Sequence, residues 1–273
     1  MPILAPIFAL LLSASAQEGE APQDPRCPHT DMNFPRGPGT VCIGGERRRY
    51  DFAFIYPRAA ERIPALMAIL RRDVVVREAW MRARANEACA ERRASGDDCT
   101  ESHFAYEQGW GIDADLPTLA AASSHSFFYI GGAHEGADTD AILIDRRLGR
   151  RIALGDLFTN RRRGLALAQR EFCRVLRAQV HERREDGSDA VEIDCPRIGL
   201  QPVTLCAEQG RITTMYAVLN RYTVSSWAEG GYEIEFAMTP AMVAELKPAY
   251  RGSFGLPSHE PTEDHPICIG PWG

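Results

Sequence analysis

Arg48 to Leu66 read R-R-Y-D-F-A-F-I-Y-P-R-A-A-E-R-I-P-A-L, and within this stretch the hydrophobic period changes once. Tyr50, Phe52, Phe54 and Tyr56 alternate with other residues, the period-two pattern of a half-buried strand. Pro57 ends it. Ile63, Leu66, Met67, Leu70, Val74 and Trp80 then recur at three and four, the stripe of an amphipathic helix laid on a sheet. This helix is expected from Ala59 to about Glu91, because Ser95-Gly96-Asp97-Asp98 is a stop. Arg62, Arg71, Arg72, Arg77, Arg82 and Arg84 fall on its wetter side and read as a solvated face.

Working outward, H-F-A-Y-E-Q-G-W and L-P-T-L-A-A-A-S-S-H-S-F-F-Y-I read as successive strands. A-I-L-I-D, the turn R-R-L-G and R-I-A-L continue an antiparallel meander. A second helix is expected over about Arg163 to Glu185, with Leu165, Leu167, Phe172, Val175, Leu176 and Val180 inward. Thr159 or Asn160 is its expected cap, since either side chain accepts from free first-turn amides. After a short strand V-E-I-D, strand signals recur at P-V-T-L-C, R-I-T-T-M-Y-A-V-L-N and G-Y-E-I-E-F-A-M. Thr239-Pro240 opens a short helix, with proline where a missing N–H costs nothing.

The expected class is α+β, with antiparallel sheet or sheets and one long helix per subdomain packed on the sheet. The expected organisation is a leader (1–16), an irregular Pro/Gly-rich arm (17–45), a first α+β subdomain (46–118), a second α+β domain (119–257) and an irregular tail (258–273).

The leader, M-P-I-L-A-P-I-F-A-L-L-L-S-A-S-A, is uncharged and apolar and closes on the A-x-A pattern Ala14-Ser15-Ala16. It reads as a secretory signal peptide, being shorter than the roughly 20 residues that span a bilayer. The mature protein is expected in the periplasm or secreted, with no integral membrane segment after cleavage. Eight cysteines, Cys27, Cys42, Cys89, Cys99, Cys173, Cys195, Cys206 and Cys268, all follow the leader, and an even count in an exported chain reads as disulfides. Proximity favours Cys89 with Cys99, Cys173 with Cys195 and Cys27 with Cys42, leaving Cys206 for Cys268. No C-x-x-C occurs, so zinc is not expected. A net charge of −6 argues against nucleic acid, whose binding needs a basic surface to neutralise phosphates.

The chemistry-bearing candidate is S-F-F-Y-I-G-G-A-H-E-G, Ser126 to Gly136. A histidine general base oriented by a carboxylate is sound chemistry, but His134 and Glu135 are adjacent, and neighbours on a strand or turn point apart. The simpler reading is a structural turn in which Gly131 and Gly132 supply backbone angles closed to other residues and His134 braces the geometry. His134 and Glu135 remain the candidate binding residues, and a hydrolase acting on envelope polymer through them is the alternative. His125 and His103 read as sheet or edge residues. Asp138-Thr139-Asp140 starts like a calcium loop but lacks its later ligands; H-E-x-x-H, G-x-S-x-G and P-loop motifs are absent. No catalytic residue, metal or cofactor is expected.

D-F-A-F-I-Y-P, R-I-P-A-L, S-F-F-Y-I-G-G-A-H, A-I-L-I-D-R-R-L-G-R-R-I-A-L-G-D-L-F and Y-E-I-E-F-A-M-T-P with L-K-P-A-Y together resemble a known tandem. It is similar to the paired extracytoplasmic domains of unknown function in RsiV-type (lysozyme-sensing) anti-sigma factors and in the accessory region of PdaC-type peptidoglycan deacetylases. The resemblance runs over roughly residues 46 to 252. The deacetylase motifs T-F-D-D-G and paired histidines do not occur, so that activity is not implied. Both relatives face the cell wall, and the resemblance therefore implies an exported, non-catalytic envelope protein that recognises lysozyme-like enzymes or peptidoglycan.

Overall fold

The structure is a computed structural model that describes residues 39–47, 49–98, 104–131, 133–183, 193–221, 223–224, 230–261 and 267–268. The leader, the arm up to residue 38, Cys27, Cys99, His103 and Gly132 lie outside the described residues.

Six strands form the first sheet in chain order: β1 (Thr40–Glu46), β2 (Tyr50–Pro57), β3 (Phe104–Asp115), β4 (Leu119–Tyr129), β5 (Gly136–Asp145) and β6 (Arg150–Ile152). Between β2 and β3 runs α1 (Pro64–Ala94). It starts later than the periodicity suggests: Arg58–Arg62 form a 3-10 turn, and Pro64 takes the first helical position, where it needs no N–H donor. The sheet is mixed, because β2 and β3 pair in parallel, Tyr50 opposite Phe104 and Ile55 opposite Gly109. A parallel pair needs a long crossover, and α1 supplies it. The other neighbours are antiparallel. The expected 118/119 division falls in the turn between β3 and β4, two paired strands of one sheet, and the sheet continues to Ile152.

Helix α1 packs Leu66, Met67, Leu70, Met81 and Ala85 onto Phe52, Phe54, Tyr106, Trp110, Ala120, Ala122, Ile142 and Ile144. Arg71, Arg72 and Arg82 are exposed as expected. Arg77 is not on the wet side: it is half-buried and pairs with Asp73, one turn back, at 3.2 Å. Below them the sheet is polar, with Tyr106 donating to Gln108 (2.9 Å) and Gln108 to Ser124 (2.9 Å).

The second sheet is antiparallel, β7 (Val203–Glu208), β8 (Arg211–Leu219) and β9 (Tyr232–Ala237). Across it lies α2 (Arg161–Arg183), whose Phe172 and Leu176 are fully buried with Ile234 and Phe236. Asn160 caps α2 by accepting from the Arg163 amide at 3.0 Å. Ile193 and Asp194, from the expected strand V-E-I-D, are irregular. Two short helices, α3 (Pro240–Glu245) and α4 (Pro248–Arg251), follow β9, and Thr239 caps α3 through Met242 N (3.2 Å).

One core joins both sheets. Ala114, Leu119, Ala121 and Leu143 of the first sheet, with Leu116 of the β3–β4 turn, are buried with Leu205, Met215, Ala217 and Met242, while Ala120 and Ala122 face α1. Hence β4 reads L-A-A-A-S-S rather than alternating, as strands covered on both faces do. Disulfides join Cys173 to Cys195 and Cys206 to Cys268, and Cys42 and Cys89 are also disulfide-bonded.

Candidate functional site

The turn carrying the sequence candidates joins β4 to β5. Gly131 has φ +92°, a left-handed angle that favours glycine. Ala133, His134 and Glu135 are exposed. The turn does not bring His134 and Glu135 to a concave site: neither lines the crevice that the two sheets form.

That crevice is small and open, and it lies where the upper half of the first sheet meets the second. It is lined by Ser123, His125, Thr139 and Ala141 of β4 and β5, and by Pro202, Thr204, Tyr216 and Val218 from β7, its lead-in and β8. The strand register explains its position. Gly109, His125 and Thr139 lie in one row across β3, β4 and β5, and Gly111, Ser123 and Ala141 in the next. Two glycines and an alanine leave this patch of the sheet low, and the second sheet roofs it. Asn220, following β8, donates to Asp138 (2.9 Å) and ties the roof to β5. Arg151 braces the other side, donating to Ala141 O at 2.8 Å and pairing with Asp140 at 3.4 Å.

Behind the lining sits Asp113. Thr204 Oγ1 donates to Asp113 Oδ2 at 2.6 Å and Ser123 Oγ to Asp113 Oδ1 at 3.1 Å. Asp113 is half-buried and keeps some solvent contact, but the protein packed around its carboxyl pushes it up to about 7, outweighing the two hydroxyls that favour the charged form. Burial also holds the His125 imidazole below its ordinary value, although Glu233 and Asp138 pull the other way. The ring stacks on Phe127, centroids 5.4 Å apart. The Tyr216 phenol is pushed far up, by burial first and then by Glu233, to which it is hydrogen-bonded. At neutral pH the lining therefore offers a neutral imidazole, a protonated phenol and the hydroxyls of Ser123, Ser124, Thr139 and Thr204 beside the apolar Val218 and Pro202. Such a mixture of hydrogen-bonding groups and small apolar surface suits reversible recognition of a polar ligand. Among the described residues no group of three or more His, Cys, Asp or Glu is placed to hold a metal ion, and no helix is long and apolar enough to cross a membrane.

Sequence reasoning placed His125 on a strand but not in a site, and it missed Asp113, Thr204 and Tyr216. The available signal was Q-G-W-G-I-D, Gln108 to Asp113: glycines at alternate positions of a strand mark a face that something approaches closely.

No family model and no curated protein matches the chain. Solved structures do. A DUF3298 family protein of Pseudomonas aeruginosa PAO1 superposes with a TM-score of 0.50 at 14% identity, covering 81% of this chain and 97% of that one. The chain has a DUF3298-like fold. A DUF3298 family member of Bacteroides fragilis NCTC 9343 gives 0.49 at 15% identity, over 78% and 95% of the two chains. At such identity the DUF3298 likeness bears on architecture alone.

Proposed function

We propose that this chain is an exported, non-catalytic binding protein of the cell envelope, periplasmic or secreted, whose ligand is a lysozyme-like enzyme or a peptidoglycan fragment. The observation that carries this reading is the crevice, whose lining supplies hydrogen-bonding groups and small apolar surface. Three things support the cellular setting: the eight cysteines of the sequence, the disulfides Cys173–Cys195 and Cys206–Cys268, and the apolar leader. Disulfides persist in oxidising compartments. The resemblance to the outer module of RsiV-type anti-sigma factors and the accessory region of PdaC-type deacetylases supports the choice of ligand, by analogy. His134 keeps the role of brace for the glycine turn; the hydrolase alternative requires an enclosed acid–base pair, and its two residues are exposed.

The test is direct. The mature protein is titrated calorimetrically with lysozymes and with muropeptides, and the same ligands are incubated with it to look for hydrolysis. Saturable binding without turnover is expected. Absence of heat with every ligand, or release of cleaved muropeptide, defeats the proposal.

A further inference from the structure

Asp113 is the extra residue of a bulge. β3 and β4 pair as far as Ile112 opposite Ala122 and resume at Ala114 opposite Ala121, so the residue between has no cross-strand partner and its side chain can leave the ordinary pleat. Its carboxylate meets both walls of the crevice: Thr204 from the second sheet and Ser123 from the first. Both hydroxyls line the crevice itself, and each has a single proton to place.

The geometry points to Asp113 as a proton switch that sets what the crevice binds. Ionised, the carboxylate draws the hydroxyl protons of Thr204 and Ser123 to itself, so the two side chains turn only lone pairs toward a ligand. Neutral, it donates its own proton to Thr204 Oγ1, and the Thr204 proton turns outward to a ligand's acceptor oxygen. The inference rests on the binding reading above and gives it a chemistry: the acid form takes an amide carbonyl or sugar oxygen, and the basic form repels it.

The surroundings favour retention of the proton. From β8 the facing titratable group is Tyr216, whose phenol feels the charges of Glu233 and Glu235 on β9 as well as that of Asp113. From β4 it is His125, whose imidazole burial holds below its ordinary value against the pull of Glu233 and Asp138; from β5 it is Asp140, already held by Arg151. β7 presents the uncharged Thr204. Burial raises the Asp113 carboxyl from the ordinary 3.8 to about 7. The folded chain thus keeps a proton that the unfolded chain releases, and stability declines as pH rises between those two values and is level above them.

The experiment has two arms, each comparing the wild type with Asp113→Asn. In the first, thermal unfolding is followed from pH 4 to 8 without ligand. The wild-type melting temperature is expected to fall by several degrees more than that of the variant, most of it before pH 7. Thr204→Val, which removes a hydroxyl that favours the anion, shifts the end of this fall to higher pH and serves if Asp113→Asn does not fold. Parallel profiles for all proteins overturn the switch. In the second arm, an N-acetylated muropeptide is titrated at pH 5.5 and 8. Wild-type affinity is expected to drop about tenfold at the higher pH, equivalent to about 1.4 kcal/mol, and the variant to hold constant. Equal wild-type affinities overturn the switch; no binding by either protein defeats the proposed glycan ligand, and the first arm still decides the switch.

Discussion

Tyr250 and Asp145 show what a single buried contact does here. Asp145 is 2% exposed and accepts from Tyr250 Oη at 2.6 Å and from the amides of Arg147 and Leu148 at 2.9 and 3.0 Å. Burial pushes its carboxyl up, but these donors prevail and hold it below the ordinary value. Its contribution to stability is therefore present at neutral pH and is lost as pH falls through that lowered value. Tyr250→Phe removes one donor to a charged acceptor, and the expected cost is about 1.5–3 kcal/mol at pH 7, shrinking in acid, as urea denaturation at the two pH values will read. Gly164 carries the opposite lesson. It lies inside α2, where alanine would favour the helix by about 1 kcal/mol, yet an added Cβ would collide with the Cβ and ring of Phe158. Phe158 is 1% exposed and has nowhere to go. Overpacking typically costs about 1–3 kcal/mol, so Gly164→Ala is expected to lower stability on balance, read as a fall in denaturation midpoint. Neither pairing is visible in the sequence, because 145 with 250 and 158 with 164 share no local pattern; they meet only once the chain has folded.

At the level of elements, much was legible. The change of period at Pro57 predicted β2 and α1, and Y-E-I-E-F-A-M predicted the strand β9, whose Tyr232, Ile234 and Phe236 the fold buries. What escaped was direction and interruption. A strand's period does not say which way its neighbour runs, so the parallel β2–β3 pair, with α1 as its crossover, is not written in either strand's pattern. Nor does a period announce a bulge, and the one at Asp113 places the residue on which the proton switch rests. The Cys173–Cys195 disulfide links α2 to the irregular segment before β7 across a separation of 22 residues. A closed loop of that size is worth about 3 kcal/mol through the unfolded state. Replacing both cysteines by serine is expected to lower unfolding free energy by about that amount in guanidinium, with a lower midpoint and a steeper denaturant dependence as the unfolded chain expands.

At the scale of the whole molecule, the two sheets share one core below and part above, and the parting creates the crevice. The lower contact is apolar, Ala121 and Leu143 against the Leu205 and Met215 side; the upper one is polar, Thr204 to Asp113 and Asn220 to Asp138. The α+β class followed from local patterns, but the site did not. His134 and Glu135 stand out in the sequence because they are adjacent, whereas the crevice is lined from β4, β5, β7 and β8, with Asp113 of β3 behind it, and the spacing of these residues carries no common signal. A ligand there is the heart of the proposal, and blocking the crevice tests it most directly. Val218 lines the site without belonging to the Asp113 hydrogen bonds, so Val218→Arg places a long side chain into the opening. Calorimetric titration of the wild type and of Val218→Arg with lysozyme and muropeptide, alongside their melting curves, is the decisive measurement. Binding weakened at least tenfold in a variant that still melts cooperatively near the wild-type temperature is the predicted result. Equal affinity in the two proteins, or no binding by the wild type, would contradict it.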